Sequence, residues 1–305
     1  MGRLQKLLMP ERREGSSTAA IADMPGLEAC IVCGGHDLRS HLPSLARCHV
    51  CGMVSAESDI SDADVEQLYG ADYFHGSEYL DYIAEQESLR LNFRHRIRTL
   101  RQIVPDLAAR DLFEIGCAYG FFLDEVRSSV RSASGIDISL DATRYARDVL
   151  NVAAVQGDYL AFDAPNRFGI ATMWDTVEHL KRPDLFLAKL AKDLAPQGVL
   201  ALTTGDIGSL NARLRGARWR LIHPPTHLHY FSVKTMLALL DRHGFTPIHV
   251  SHPGNSRYLR AVLHHILVLR MKQARWYDAV KSWPLLDMRL TVNFFDIMFI
   301  VARRR

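Results

Sequence analysis

The 305-residue sequence lacks any run of about eighteen uncharged apolar residues, so no helix is expected to cross a membrane. Near the start, Leu7-Leu8-Met9 sits between charges and is too short for the apolar core of a signal peptide. The net charge is only +3, with no dense Lys/Arg stripe, which argues against a nucleic-acid partner. Cysteine is scarce: there are five, four of them in two close pairs. That pattern speaks against a secreted disulfide framework and for a metal site in a reducing cytoplasm. The G-x-G-x-x-G dinucleotide fingerprint is missing too. Counting from Gly116, its second and third glycine positions hold Ala118 and Phe121, which disfavours NAD, and no G-K-[ST] follows to suit ATP. With 48% hydrophobic and 23% charged residues, the composition is that of an ordinary soluble globular enzyme. The length suffices for one large domain and a small one.

The chain divides into a loosely ordered leader at 1–26, a small module at 27–57, a helical connector or cap at 58–108, and an α/β domain at 109–305. Within the module, Cys30-Ile-Val-Cys33-Gly34 and Cys48-His-Val-Cys51-Gly52 each form a knuckle that offers two thiolates, the glycine relieving the turn. Together Cys30, Cys33, Cys48 and Cys51 complete a tetrahedral site, zinc by default, although iron takes the same ligands. Four protein ligands leave no open position, so the metal is expected to stabilise a module too small to bury its own core. For the same reason His36, His41 and His49 are expected to be ordinary surface residues.

In the connector, Ser61-Asp62-Ala63-Asp64 can cap a helix, and Tyr73, Phe74, Tyr79 and Tyr82 form an aromatic cluster that closes over a cleft or packs on the next domain. A helix is predicted over about 77–103, ending before Pro105. Its Arg90, Arg94, Arg96, Arg98 and Arg101 do not share a face, so a solvated helix is expected. From Asp111 strands and helices alternate, the pattern of a parallel sheet with helices on both faces. Strands are predicted at about 111–116, 132–137, 152–155, 168–174, 198–203, 245–251 and 295–303. Helices are predicted at about 119–130, 140–150, 182–195 and 232–243, with an insertion at 255–290.

The chemistry is expected where strands end. Glu114-Ile-Gly116-Cys117-Ala118-Tyr-Gly120 follows the first α/β strand, and its small residues let a ligand approach the backbone and the next helix N-terminus. Asp137 lies about twenty residues beyond the first glycine, where a carboxylate can accept both ribose hydroxyls. Gly157-Asp158-Tyr159 puts another carboxylate at the next strand end, near an adenine amino group. Met173-Trp174-Asp175-Thr176-Val177-Glu178-His179-Leu180 ends the strand after that. Ligands of open α/β sheets bind along this edge.

In this order the motifs resemble the class I S-adenosylmethionine-dependent methyltransferases. Glu114 to Gly120 looks like their first motif, with Ala118 where glycine is usual. Asp137 matches the ribose-binding acid, and Gly157-Asp158 the adenine-contacting motif. Asp175-Thr-Val-Glu178-His179-Leu180 resembles the D-x-[IVL]-E-H-[LV] segment of one large subgroup. His227-Leu-His229-Tyr230-Phe231-Ser232, Gly244-Phe245 and a last strand from Asp296 to Arg303 are also typical of it. The cysteine module is similar to that of bacterial methyltransferases acting on sugars or nucleotide-linked sugars. The resemblance covers about 109–305. It implies a Rossmann-like seven-stranded sheet, S-adenosylmethionine as cofactor, and cofactor contacts from Glu114, Gly116, Cys117, Ala118, Gly120, Asp137, Ile138, Asp158, Tyr159, Trp174, Asp175 and His179. Glu114 is expected to fix the methionine end through the turn. Cys117 is a small loop residue rather than a nucleophile, since no partner base can be assigned to it.

Methyl transfer from a sulfonium needs positioning and exclusion of water, and an oxygen or nitrogen acceptor must lose a proton. The densest candidates lie in His223-Pro-Pro-Thr226-His227-Leu-His229-Tyr230, with His227 and His229 the better bases and Tyr230 beside them. The alternative is that these histidines cap a helix or hold the loop. Trp219 walls the acceptor pocket or packs. Residues 257–283 mix Leu259, Val262, Leu263, Ile266 and Leu267 with Arg257, Arg260 and Lys272, a basic amphipathic pattern that suits an anionic membrane surface, a lid or a dimer face. The expectation is a cytoplasmic methyltransferase for a small-molecule hydroxyl, such as a sugar or polysaccharide precursor. N- or C-methylation, or a non-catalytic adaptor that binds a partner through its metal module, are the alternatives.

Overall fold

The computed structural model describes residues 29–57, 82–83, 85–164 and 167–305. The leader, the cap at Ser61 and the aromatics Tyr73, Phe74 and Tyr79 lie outside them. Among the described residues no helix is long and apolar enough to cross a membrane.

Seven strands build the main sheet: β4 (Asp111–Ile115), β5 (Ser132–Asp137), β6 (Ala153–Gln156), β7 (Phe168–Trp174), β8 (Leu194–Gly205), β10 (Phe245–Ser251) and β13 (Ile297–Arg304). Their order is β10-β13-β8-β7-β4-β5-β6. The ladders from β8 to β6 are parallel, while β13 runs antiparallel to both its neighbours. The expected α/β class is therefore present as a mixed sheet. Its order reverses beside β4, where successive crossovers leave in opposite directions and open a crevice at the carboxyl ends. The central strands are buried on both faces, as their continuous apolar runs demand: Ile170, Ala171 and Met173 of β7 and Leu200, Ala201 and Leu202 of β8 are inaccessible.

The helices pack on these faces by their apolar stripes. Helix α1 (Gln86–Ile103) buries Leu91, Phe93, Ile97 and Leu100, and it stops at Val104, whose conformation before Pro105 is non-helical. Of its arginines, Arg90 and Arg96 are not solvated as expected. Arg101 is exposed and donates to Ser129 at 2.7 Å, but Arg90 reaches Asp124 at 2.6 Å and Glu125 at 3.1 Å, and Arg96 reaches Asp175 at 3.0 Å. Facing carboxylates on other elements draw them in, which a single helix's own periodicity does not show. Beside α1, Tyr82 stacks on Tyr119 and Phe121 at 5.5 Å, so this part of the aromatic cluster packs on the α/β domain. Helices α2 (Phe121–Val126), α3 (Leu140–Asp148), α4 (Pro183–Asp193), α5 (Leu210–Arg215) and α6 (Val233–Arg242) follow in chain order.

The cysteine module is joined to the domain. Strands β1 (Leu38–Leu42), β2 (Leu45–Cys48) and β3 (Val54–Ala56) form a sheet whose fourth strand is β9 (His229–Tyr230), from the far end of the chain. Val54 pairs with Tyr230 and Ser55 with His229. Cys30, Ile31, Val32, Cys48 and Met53 share one apolar core with Phe231, Met236 and Leu240. The insertion adds β11 (Asn255–Tyr258), paired with β12 (Arg289–Val292), and the short helices α7 (Leu259–His264) and α8 (Ala274–Val280). It exposes Trp276, Trp283, Leu285, Met288 and Leu290.

Candidate functional site

The turn after β4 is shaped by neighbours on both sides. Gly116 has φ +76°, and a Cβ there would lie 2.7 Å from the Thr176 side chain. Only glycine suits both the left-handed backbone and that close approach. The N–H groups of Gly116 and Cys117 both donate to the Ile136 carbonyl, at 2.9 and 3.1 Å, tying the turn to β5. Ala118, where the motif usually has glycine, takes φ +44°. Its N–H donates to Asp137 Oδ2 at 2.8 Å, which holds this strained position, while Asp137 Oδ1 accepts from Ser139 N–H at 2.9 Å. Burial pushes the Asp137 carboxyl up, and these two backbone donors oppose it. Glu114 is buried with its Oε2 unpartnered, and burial, then the nearby Asp137 charge, holds its carboxyl well above the usual range. Cys117 is buried, and burial pushes its thiol up.

The other strand ends meet this turn. Gly157 N–H donates to the Asp137 carbonyl at 2.9 Å, and Asp158 caps the short turn after it through Leu160 N–H at 2.9 Å. Ile138 is exposed at this edge. Asp175, at φ +51°, accepts from Arg96 at 3.0 Å and from Thr203 Oγ1 at 3.0 Å. Two expected contacts point their rings elsewhere. The Tyr159 ring packs beside Phe113 and Phe186, and its hydroxyl donates to Asp193 at 2.7 Å. The Trp174 ring is buried against Phe122 and Phe299, with the Arg96 guanidinium 4.9 Å from its centre. Both side chains fill the core, because each stands where a buried strand turns out of the sheet. Arg96, expected to be solvated, and Thr176 and Thr203, given no role by the sequence, also reach this edge. No spacing rule marks them, since each meets the site only through another element.

The histidine loop folds back on the Asp175–His179 segment. Leu228 and His229 donate their N–H groups to the Glu178 carbonyl at 2.9 and 3.1 Å. His179 Nδ1 bonds the Thr226 carbonyl at 2.8 Å, and His227 Nδ1 bonds the Leu221 carbonyl at 2.9 Å. Their rings meet edge to face with centroids 4.6 Å apart, and the His223 ring centre lies 4.0 Å from that of His227. Burial, above all, lowers His179 to about 4 and His227 to about 2, so both rings are neutral near neutrality. His229 and Tyr230 are placed differently. His229 is buried with Nδ1 on Ser55 Oγ at 3.1 Å and Nε2 on the Lys181 carbonyl at 3.3 Å. The Tyr230 hydroxyl donates to the His227 carbonyl at 3.0 Å. Both side chains spend their polar atoms on the chain itself, because β9 belongs to the cysteine-module sheet.

In that module Gly34 and Gly52, at φ +74° and +87°, close the two knuckles through N–H bonds to the carbonyls of Cys30 and Cys48 at 2.7 and 2.8 Å. Cys30 and Cys51 Sγ lie 3.4 Å apart, Cys33 and Cys48 3.6 Å, and all four sulfurs lie within 4.8 Å of one another. A tetrahedron of thiolates about 2.3 Å from zinc has edges of about 3.8 Å, so the donor set fits such an ion. Burial pushes the Cys30 and Cys51 thiols up. Burial acts the same way on Cys48, but the N–H groups of Cys51 and Val50 and the thiols of Cys33 and Cys51 together outweigh it and lower that thiol to about 7.

A mixed seven-stranded sheet, a glycine turn beside its switch point and a carboxylate on the adjacent strand define a nucleotide-cofactor α/β enzyme. The family profile described as "Methyltransferase domain" matches residues 91–250. The chain belongs to that family and is an S-adenosylmethionine-dependent methyltransferase. Among solved structures, the magnesium protoporphyrin IX methyltransferase of Synechocystis PCC 6803 with bound SAH shares the fold. It is 12% identical, the match covers 80% of this chain and 100% of that one, and the TM-score is 0.52. The N-methyltransferase NodS of Bradyrhizobium japonicum WM9 is 16% identical over 69% of this chain and 86% of that one, with a TM-score of 0.44. An S-adenosylmethionine-dependent methyltransferase from Mesorhizobium loti is 18% identical over 68% and 96%, with a TM-score of 0.45. No curated protein matches the chain in sequence.

Proposed function

We propose that this methyltransferase acts on a hydroxyl of a small molecule, a sugar or polysaccharide precursor, at the crevice between the Glu114–Gly120 turn and the histidine loop. The observation that carries the reading is the contact of Gly116 with Thr176, since it sets the cofactor turn against the segment that leads to Glu178 and His179. Bound S-adenosylmethionine supplies an electrophilic methyl group on a sulfonium. In this reading Asp137 takes the ribose hydroxyls with the lone pairs left beyond its two backbone donors, and Asp158 and Ile138 flank the adenine. The buried, unpartnered Glu114 Oε2 is the acceptor offered toward the cationic methionine end. Arg96 holds Asp175, and Thr203 braces it from β8.

On the acceptor side, His227 is the candidate that brings a neutral imidazole to the crevice. His229 and Tyr230 serve as the frame behind it. The preference for oxygen over nitrogen or carbon rests on the acceptor's need for a lone-pair cluster that handles a weakly acidic proton. The four cysteines hold a structural zinc ion that ties the module to β9. Contact of residues 257–283 with an anionic membrane is proposed from the exposed Trp276 and Trp283, and flotation with anionic vesicles that leaves all protein in the bottom fraction ends it. Isothermal titration with S-adenosylmethionine, then incubation with methyl-labelled cofactor and a metabolite extract, tests the main reading. Label in a hydroxylated small molecule supports it, and label confined to amines overturns the oxygen assignment.

A further inference from the structure

Three side chains outside the cysteine module converge on one point. Glu178 and His179 follow β7, and His227 comes from the loop that enters β9. One carboxylate oxygen and two ring nitrogens from these residues all lie within 4.8 Å of one another. Glu178 and His227 are buried, and His179 is half-buried.

The hydrogen bonds select the same tautomer in both rings. A carbonyl oxygen only accepts, so the Nδ1 atoms of His179 and His227 are the protonated ones, donating to Thr226 and Leu221. Each neutral ring then carries its lone pair on Nε2. A backbone carbonyl that orients an imidazole from behind is the usual outer support of a histidine metal ligand. Here it occurs twice, on two segments far apart in the chain, and the Glu178 carbonyl pins those segments together.

We propose that Glu178, His179 and His227 bind a first-row divalent cation whose open coordination positions take the oxygen of the methyl acceptor. The inference rests on the methyltransferase reading of the same crevice. Two imidazoles and one carboxylate suit zinc, manganese, iron, cobalt or nickel, and these three ligands among the described residues leave places for an exogenous oxygen. Coordination acidifies a bound hydroxyl, whose proton passes to solvent. The oxygen then forms its bond to the methyl carbon as the carbon–sulfur bond breaks, and that bond's electron pair neutralises the sulfonium. The products are the methyl ether, S-adenosylhomocysteine and the released proton. An acceptor with a second oxygen on the neighbouring carbon chelates such an ion best, so vicinal oxygens define the preferred substrate class.

Manganese separates this cluster from the thiolate site, because it favours oxygen and nitrogen donors over sulfur. The full chain, purified with its cysteine site filled by zinc, is titrated with Mn²⁺ and followed by electron paramagnetic resonance. The expected result is one Mn²⁺ bound per chain, with affinity weakened on the order of a hundredfold in His227→Ala and in the nearly isosteric Glu178→Gln. Elemental analysis of both variants should still find one zinc. If wild type binds no Mn²⁺ at millimolar concentration, or both variants bind it as wild type does, the proposal is overturned. Glu178→Gln decides the matter should His227→Ala fail to fold. Calorimetry with S-adenosylmethionine on the same wild-type sample keeps the two readings apart, since lost cofactor binding overturns the first whatever the manganese result.

Discussion

The four-cysteine cluster and the Glu178–His179–His227 cluster are both sets of ligand atoms within 4.8 Å of one another, yet they are built in opposite ways. The first comes from two adjacent knuckles, is filled by four like donors and is fused to a hydrophobic core. The second joins a strand end to a distant loop, mixes donor types and offers three ligands beside the Glu114–Gly120 turn. A closed, local set stabilises; an open, assembled set leaves room for chemistry.

The largest expected effect breaks the closed set. Cys48 is fully buried and packs in the core that also holds Phe231 and Met236. Cys48→Ser should therefore cost about 4 kcal/mol or more, lowering Tm by roughly 10 °C in a chain of this size. Strong chelators should reproduce the loss in wild type, as read by thermal denaturation. An unchanged Tm in both experiments would show that the cluster is not a metal-dependent fold element.

The next effect falls on the turn that faces the open set. In Gly116→Ala the new Cβ meets Thr176 at 2.7 Å from a left-handed backbone. Strain and displacement together should weaken S-adenosylmethionine binding about a hundredfold, or about 2.7 kcal/mol, by calorimetry. Because the clash is local, the metal content of the cysteine module should be unchanged. Binding within threefold of wild type would remove the turn from the cofactor site.

The comparison also explains what could be read from the sequence. The Cys-x-x-Cys-Gly knuckles and the turn from Glu114 to Gly120 are short segments whose spacing carries their geometry, and both were legible. So were the seven strands, the central β7 and β8 by apolar runs that mark buried positions. Strand β9 was not, because two residues paired with a sheet more than 170 positions away leave no local pattern; Ser55 and His229 meet only in the fold. For the same reason His229 and Tyr230 looked like acceptor-side residues when their polar atoms serve the frame. Arg96 looked solvated because its partner, Asp175, lies on another element.

A smaller effect separates the open cluster from its support. Asp296 is buried and accepts from Asn211 at 2.7 Å, Trp219 at 2.9 Å and Arg220 at 2.8 Å. It thus anchors the loop that ends at Leu221, whose carbonyl orients His227. Burial raises this carboxyl, but Trp219, Arg220 and Asn211 outweigh it and hold the group below its ordinary value. Its folded pKa is lowered, so its stabilisation is complete above the unfolded value near 3.9 and is lost as pH falls through the folded one. Asp296→Asn should cost about 2 kcal/mol at pH 7, a gap that closes below about pH 4 in urea titrations. A gap that stays constant into acid would mean that packing, not charge, makes the contribution.

The smallest effect concerns a side-chain bond that joins the cysteine sheet to the histidine loop. Ser55 Oγ meets His229 Nδ1 at 3.1 Å, and the same ring bonds the Lys181 carbonyl through Nε2 at 3.3 Å. A carbonyl needs a donor, so Nε2 carries the proton and Nδ1 the lone pair that the serine hydroxyl satisfies. Ser55→Ala leaves that lone pair buried, and the ring cannot flip its tautomer without losing Lys181. The cost should be about 1 kcal/mol, seen as a Tm lower by roughly 2 or 3 °C. Turnover of the identified acceptor should be unchanged, because His229 faces the frame. Turnover that falls while Tm holds would instead return His229 to the acceptor, and the two clusters would then share a catalytic residue.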